Sequence, residues 1–338
     1  MRKLCGIIWM MLVGAGVALA TSQPPLKLVA KYKMPAGVKG RFDHLGVDLR
    51  GNRLFAAAES AHQVLVFNLR TGKYLRSIPK IQIPHAIFVR GDLDRIYVTD
   101  GGAGEVKIFD GKTYRLIQSV KLKVDSDSIG YDPASHDLYV DNGGGDAHEP
   151  YSMLSAVDTT RGTKAADIRI DGDTLEAMAL AKSSPLLYVN NPAKNLMDVV
   201  NRDTGKVTAT WPVTLCKRNV ALALDEPANR LFTACRSGAN VAFNTENGKE
   251  LKSMPIPQGV DDLVFDSGAK RLYAACAGNG GGVAVFQADS PDQYTSLGVV
   301  PTAQGAKNEV LVPQMHRLFV IVPPTASAPG EIYVYEVQ

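Results

Sequence analysis

The chain has 338 residues, a formal net charge of +3 and no block of consecutive lysine or arginine residues. Proteins that bind nucleic acid usually present a basic patch or stripe to the phosphates, so the composition gives no indication of a nucleic-acid partner. Hydrophobic residues make up 45% of the chain, which is enough to build a sizeable core.

Residues 1–20 have the composition of a secretory signal peptide. Arg2 and Lys3 precede an apolar run that extends to Val17, and Ala18-Leu19-Ala20 supplies the small residues of a cleavage site. The run is short for a membrane span. We therefore expect cleavage and a periplasmic or secreted product without a transmembrane segment; an uncleaved N-terminal anchor is the alternative. Residues 21–338 are expected to form a single domain.

A six-residue pattern recurs seven times and predicts the fold. Each copy alternates apolar with small or polar residues and has an aromatic third residue, as expected for a strand buried in stacked sheets. The copies begin at Arg53, Arg95, Asp137, Leu186, Arg230, Arg271 and Arg317. Successive starts are 42, 42, 49, 44, 41 and 46 residues apart, which leaves room for about four short strands per repeat. This spacing predicts an all-β, seven-bladed β-propeller.

The two ends of the chain are predicted to meet in the last blade. The seventh repeat has three predicted strands, at 309–312, 317–322 and 331–337, whereas the segment 26–34 forms a strand without a partner in its own repeat. We expect this N-terminal strand to complete the last blade and close the ring. An open propeller would leave two unpaired sheet edges exposed to aggregation.

Tight turns and two long insertions separate the strands. Thr71-Gly72-Lys73 and Thr204-Gly205-Lys206 are predicted to be hairpin turns in which glycine supplies a positive φ; no phosphate-binding loop is indicated. Insertions at 143–151 and 323–330 follow the second strands of the third and seventh repeats. Insertions on one face of a repeat protein usually mark its binding face.

The repeat signature resembles that of a known family. Tyr97-Val98-Thr99-Asp100, Tyr139-Val140-Asp141-Asn142 and Tyr188-Val189-Asn190-Asn191 are similar to the Tyr-Val-Thr-Asn signature of the YVTN β-propeller repeat family, which includes exported YncE-like and lactonase-like seven-bladed propellers. The resemblance covers residues 21–338. It implies a surface or periplasmic binding protein, and related propellers include lactonases and quinone- or haem-dependent enzymes. It supplies no catalytic signature that can be assigned residue by residue.

Aligning the repeats places polar residues at one level, where the inner strands begin at the mouth of the central channel. These residues, our predicted ligand-binding set, are Asp43, His44, His85, Asp127, Glu176, Arg218, Asn219, Asp261, Asp262, Lys307, Asn308 and Glu309. His148 in the 143–151 insertion is added because it could reach over the same mouth; alternatively, it is an ordinary polar residue of the loop. The ring is interpreted either as the solvated lining of a wet channel or as a dedicated small-molecule or ion site.

A divalent metal is the cofactor that this ring would suit. His44 and His85 lie on neighbouring blades and Asp127 on the next, and two imidazoles with one carboxylate are a common ligand set for zinc and related ions. No Gly-x-Ser-x-Gly or Cys-x-x-Cys-His motif is present. Trp211 is the only tryptophan in the repeats, whereas a pyrroloquinoline cofactor normally goes with one in each blade.

Three cysteines follow the predicted signal peptide: Cys216, Cys235 and Cys276. In an oxidising compartment, three cysteines allow at most one internal disulfide. A bridge between Cys216 and Cys235 would fasten a loop at the mouth. Alternatively, these cysteines are small buried apolar residues.

The function predicted from these features is an exported, monomeric binding or scaffold protein. Its ligand at the channel mouth would be a small molecule, a glycan or an envelope protein. The alternative is a lactonase-like or metal-dependent hydrolase or lyase that uses the polar ring.

Overall fold

The computed structural model describes residues 23–338, which form seven antiparallel sheets of four strands each. The first strands of most successive sheets contact one another around the ring, and the first strand of the last blade contacts that of the first blade. The predicted all-β, seven-bladed β-propeller is confirmed. The signal-peptide prediction for residues 1–20 lies outside the described residues.

Blades 1 to 6 are built from consecutive strands, and blade 7 combines both ends of the chain. The strands are, in blade 1, β2 (Leu45–Asp48), β3 (Arg53–Ala58), β4 (Gln63–Asn68) and β5 (Tyr74–Pro79); in blade 2, β6 (Pro84–Arg90), β7 (Arg95–Asp100), β8 (Glu105–Asp110) and β9 (Leu116–Lys121); in blade 3, β10 (Ile129–Asp132), β11 (Asp137–Gly143), β12 (Tyr151–Asp158) and β13 (Thr163–Asp171); in blade 4, β14 (Met178–Leu180), β15 (Leu186–Asn191), β16 (Leu196–Asn201) and β17 (Lys206–Pro212); in blade 5, β18 (Asn219–Asp225), β19 (Arg230–Cys235), β20 (Ala239–Asn244) and β21 (Glu250–Pro255); in blade 6, β22 (Val260–Asp266), β23 (Arg271–Cys276), β24 (Gly282–Ser290) and β25 (Gln293–Pro301); and in blade 7, β26 (Glu309–Val312), β27 (Arg317–Val322), β28 (Glu331–Val337) and β1 (Leu26–Lys33). Single 3₁₀ turns span Glu59–Ala61, Gly144–Ala147, Glu226–Ala228, Gly278–Gly280 and Pro313–Met315.

The N-terminal strand closes the ring as the sequence predicts. β1 pairs antiparallel with β28, with Leu26 opposite Val337 and Lys33 opposite Glu331. Tyr32 on β1 is buried, and its hydroxyl donates a hydrogen bond to the carbonyl of Leu69, 3.0 Å away, in the turn that follows β4 of blade 1. The strand that completes blade 7 is therefore also fastened to blade 1.

The core lies between the blades and is formed mainly by the recurring second strands. Phe55, Tyr97 and Tyr273, the aromatic third residues of three repeats, are almost completely buried. Because each blade stacks on the next, both faces of these strands are covered, which explains why small and apolar residues alternate along them. Between residues 23 and 338 there is no helix with the length and apolarity needed to cross a membrane.

Antiparallel pairing determines which residues reach the mouth. In blade 1, Leu45 at the start of β2 pairs with Ala56 near the end of β3, so the residues before the first strand and those after the second emerge together. The same pairing recurs in the other six blades. We call this end of the channel the mouth.

One disulfide lies close to the mouth. Cys216, before β18, is bonded to Cys235 at the end of β19, and their Cα atoms are 6.1 Å apart. Of the two alternatives left open by the sequence, the structure therefore contains the bridge. Cys276 is a buried free thiol, and its pKa is raised far above the usual range, mainly by burial.

Candidate functional site

A polar cavity of about 500 Å³ opens at the mouth. Every blade contributes at least one ionisable side chain to its wall. In blade order these include Asp43 and His44, His85, Asp125 and Asp127, Glu176, Arg236, Asp261, and Lys307. Ile83 and Val124 are the apolar residues of the wall. The cavity therefore offers charges and hydrogen-bonding groups rather than an apolar surface.

The structure brings most of the predicted ligand-binding residues together here. Those that line the cavity are Asp43, His44, His85, Asp127, His148, Glu176, Asp261 and Lys307. Asp262 and Glu309 instead line, with His44, a second cavity of about 220 Å³ in the channel. Asn308 is buried and donates hydrogen bonds to Asp261 and Asp43 at 3.0 and 3.4 Å.

Two residues of the predicted set do not reach the wall. Arg218 is exposed outside the cavity, on backbone with φ of 60°, and its carbonyl accepts a hydrogen bond from the backbone N–H of Arg236. Asn219 is buried and bonds to Asn190 and to the carbonyl of Leu196. The wall of blade 5 is supplied by Arg236 instead, in the segment after β19.

Sequence reasoning missed several wall residues for one reason. Arg236 and Glu59 directly follow second strands, and Arg41 and Asp125 lie two residues before the predicted ring positions. The alignment considered only residues at the start of the inner strands. The ends of the second strands, at a fixed distance from each aromatic repeat residue, would have identified Arg236 and Glu59.

The long loop of blade 3 reaches the mouth, whereas that of blade 7 does not line it. Gly145, Asp146 and His148 are part of the wall. The loop is tied down by an ion pair between Glu149 and Lys123, 2.5 Å apart. Of the two insertions predicted to mark the binding face, only 143–151 contributes to this cavity.

Two of the three histidines in the wall, His85 and His44, each contact a carboxylate on another blade. The Nδ1 atom of His85 lies 2.5 Å from Oδ2 of Asp43. The Nδ1 atom of His44 lies 3.0 Å from Oδ1 of Asp262, and its Nε2 atom faces Asp43. Burial tends to lower the pKa of both imidazoles, but these carboxylates and Asp127 outweigh it. The pKa of His85 is raised to about 9, and that of His44 lies well above its usual range.

Asp127 is at the centre of the acidic side of the mouth. Within the described residues it belongs to two groups whose possible metal-binding atoms all lie within 4.8 Å of one another: Asp43, His44 and Asp127, and His85, Asp125 and Asp127. The predicted set of His44, His85 and Asp127 is thus divided between two groups. Burial and the neighbouring charge of Asp127 raise the pKa of Asp125 to about 6.

On the opposite side of the mouth, two cationic side chains contact the same carboxylate. Asp261 accepts from Arg236 at 2.7 Å and from Lys307 at 2.6 Å. Glu176 lies 3.4 Å from Arg236. The pKa of Glu176 is raised to about 8, and burial is the main cause. The charge of Arg236 acts to lower this pKa, whereas the charges of Asp127 and Asp261 act to raise it. At neutral pH Glu176 is therefore mostly uncharged, and this side of the mouth keeps one net positive charge.

Two curated proteins are similar to part of the chain, which matches none of the protein-family models. A segment of 117 residues is 30% identical to the uncharacterised protein YncE of Salmonella typhi and covers 34% of this chain and 32% of that protein. A segment of 131 residues is 31% identical to a seven-bladed beta-propeller protein of Mycobacterium tuberculosis and covers 36% of this chain and 32% of that protein. The matches span about a third of each relative's length.

Solved structures resemble the whole ring at low sequence identity. A chain of the crystal structure of the mitotic checkpoint complex has a TM-score of 0.76 at 13% identity. The match covers 100% of this chain and 99% of that chain. A chain of Kuenenia stuttgartiensis hydrazine synthase has a TM-score of 0.72 at 17% identity, and the match covers 91% of this chain and 100% of that chain. The crystal structure of the RRP9 WD40 repeats has a TM-score of 0.74 at 10% identity, and the match covers 93% of this chain and 100% of that chain. These likenesses show the fold alone.

Proposed function

We propose that this chain, a seven-bladed β-propeller of the YncE-like family, is an exported binding protein that holds a small organic anion at its mouth. The fold supports a binding or scaffold role in general, because a ring of blades offers one concave polar surface built from many strand ends. The ligand class is argued from the charges of the cavity wall.

The observation that carries this proposal is the pair of cations on Asp261. Arg236 and Lys307 come from blades 5 and 7, and the carboxylate between them neutralises only one of their two charges. Their side chains are 31% and 36% exposed, so both can reach a ligand. A carboxylate is matched by a guanidinium fork beside an ammonium group.

The size and chemistry of the cavity favour a small hydroxylated ligand. About 500 Å³ is within the usual range for small-molecule sites. The many acceptor oxygens of the wall suit ligand hydroxyl groups, as in a sugar acid. A glycan carrying an acidic group would offer the same chemistry.

Export is supported by two features of the chain. The composition of residues 1–20 is that of a signal peptide. The disulfide between Cys216 and Cys235 is of the kind that persists in oxidising compartments. A monomer in the periplasm or the medium is the state that we propose.

A second candidate function is metal-dependent hydrolysis or lyase chemistry. It is favoured by the contact between His85 and Asp43, because an imidazole held by a carboxylate is a common arrangement for a general acid or base. An enzyme of this kind would lose turnover in His85→Ala while keeping its fold. A protein that binds a macromolecule would respond mainly to changes in the loops at 143–151 and 323–330.

The binding proposal is tested by calorimetry with gluconate and glucuronate, and with their neutral counterparts sorbitol and glucose. We expect the anions to bind and Arg236→Gln to weaken that binding about 10- to 100-fold, the effect of one lost charge-assisted hydrogen bond. Arg218→Gln is the matched control, since Arg218 lies in the same blade but outside the cavity wall. Equal binding of acids and neutral sugars, or equal losses in the two variants, would contradict the proposal.

A further inference from the structure

We propose that the acidic side of the mouth binds one divalent transition-metal ion through Asp43, His44 and Asp127. The three residues come from the segments that lead into blades 1 and 3. Their ligand atoms lie within 4.8 Å of one another. His85, which the sequence suggests as a ligand, is here a residue that orients Asp43.

The two distances from His44 to the carboxylates fit a shared ion better than direct hydrogen bonds. The Nε2 atom of His44 lies 3.5 Å from Oδ1 of Asp43 and 3.9 Å from Oδ1 of Asp127. Both distances exceed those of hydrogen bonds between nitrogen and oxygen. Two ligands that each lie about 2.1 Å from an ion are separated by roughly 3.0–4.2 Å, depending on the coordination angle.

A buried acceptor atom has no hydrogen-bond partner at this point. The Oδ1 atom of Asp127 is inaccessible to solvent and accepts no hydrogen bond, although both imidazoles lie within 4 Å of it. Asp141, whose backbone carbonyl accepts a hydrogen bond from the N–H of Asp127, is 2% exposed, and its Oδ1 atom also lacks a partner. Buried polar atoms are nearly always satisfied, so an unpaired carboxylate oxygen calls for an ion or another partner.

The remaining atoms of two proposed ligands are held in place. Asp262 contacts Nδ1 of His44 at 3.0 Å, which leaves Nε2 as the free ligand atom. His85 contacts Oδ2 of Asp43 at 2.5 Å, which directs Oδ1 of Asp43 toward His44. Partners of this kind recur around metal ligands, where a carboxylate orients the imidazole.

The ligand set indicates the class of ion. One imidazole nitrogen with two carboxylate oxygens suits zinc, manganese, cobalt or iron(II) better than calcium or magnesium, which prefer oxygen alone. A dication with a neutral His44 would also balance the two carboxylates. An organic anion held by Arg236 and Lys307 could then complete the coordination from the cavity; this last step rests on the proposed function, whereas the metal site does not.

The test is a titration of the purified, chelator-treated protein with Co²⁺, followed by visible absorption, and with Zn²⁺, followed by calorimetry. We expect one ion per chain and at least a 100-fold loss of affinity in Asp127→Asn. Asp225→Asn is the matched control, because Asp225 is a carboxylate paired with Lys270 at the far end of an inner strand, away from the mouth. Circular dichroism checks that each variant is folded.

Three further variants distinguish ligands from orienting residues. His44→Gln should abolish binding, whereas His85→Gln and Asp262→Asn should weaken it about 10- to 100-fold. Loss of a nitrogen ligand changes the absorption spectrum of bound Co²⁺. His85→Gln and Asp262→Asn should leave that spectrum unchanged, because neither substitution removes a ligand. The proposal is overturned if no ion binds at micromolar concentrations, if Asp225→Asn weakens binding as much as Asp127→Asn, or if His85→Gln abolishes binding that His44→Gln leaves intact. Gluconate calorimetry on the chelated protein tests the anion site separately.

Discussion

Glu176 gives the sharpest prediction about the stability of the propeller. Its carboxyl group is buried at the mouth, and its pKa is raised from 4.5 to about 8. A glutamate whose folded-state pKa is raised stabilises the protein below the unfolded-state pKa. This stabilisation is lost as the pH rises through the folded-state pKa, because the folded state must then hold a buried charge. Glu176→Gln removes the titrating group and keeps the shape of the side chain.

The size of the effect follows from proton linkage. With pKa values of 4.5 unfolded and about 8 folded, Glu176 alone lowers the free energy of unfolding by about 3 kcal/mol between about pH 5.5 and about pH 8.5. Glu176→Gln lacks this contribution. The free energy of unfolding of the variant, relative to that of wild type, should therefore increase by about 3 kcal/mol as the pH rises over this interval.

The measurement is urea unfolding of chelator-treated protein, followed by circular dichroism at both pH values. Glu226→Gln is the control that should not depend on pH in this interval. Burial tends to raise the pKa of Glu226, but hydrogen bonds from Ser183 and Lys182 outweigh it and lower the pKa below 4.5. Glu226 is therefore charged in both the folded and the unfolded state at both pH values, and its removal should cost the same at each. Parallel pH profiles for wild type and Glu176→Gln would refute the assignment of a neutral Glu176.

Two further predictions concern the scaffold. Replacing both Cys216 and Cys235 by alanine should lower the free energy of unfolding by about 3 kcal/mol, because the bridge closes a loop with a sequence separation of 19 residues. A reducing agent should lower the melting temperature of the wild type but not that of this variant. Gly72 and Gly205 occupy equivalent Thr-Gly-Lys turns with φ of 70° and 63°. An added Cβ at Gly72 would lie 2.0 Å from the ring of Tyr32 and clash with it, whereas at Gly205 it would lie 3.8 Å from Cγ1 of Ile168, an ordinary contact distance. Gly205→Ala should cost about 1 kcal/mol and Gly72→Ala about 1–3 kcal/mol more, as measured by urea unfolding; equal costs would contradict the packing argument.

Much of the mouth could be located from sequence because the repeats are nearly equal in length. Once the aromatic strands are aligned, each inner strand begins at a fixed distance before them, which places Asp43, His85, Asp127, Glu176 and Asp261 at one level. The failure in blade 5 has a local cause. Arg218 adopts left-handed backbone beside the disulfide, and its side chain lies outside the cavity wall. A repeat alignment gives the level of a residue but not the direction of its side chain.

The sequence by itself determined the number of blades, the order of the strands and the closure by the N-terminal strand. Strand periodicity and repeat length are local properties of the chain, so one chain is enough to reveal them. The tertiary structure decided which charges pair: Asp43 with His85, Asp262 with His44, and Asp261 with both Arg236 and Lys307. These partners lie 25 to 218 residues apart in sequence, and only the curvature of the closed ring brings them within contact distance.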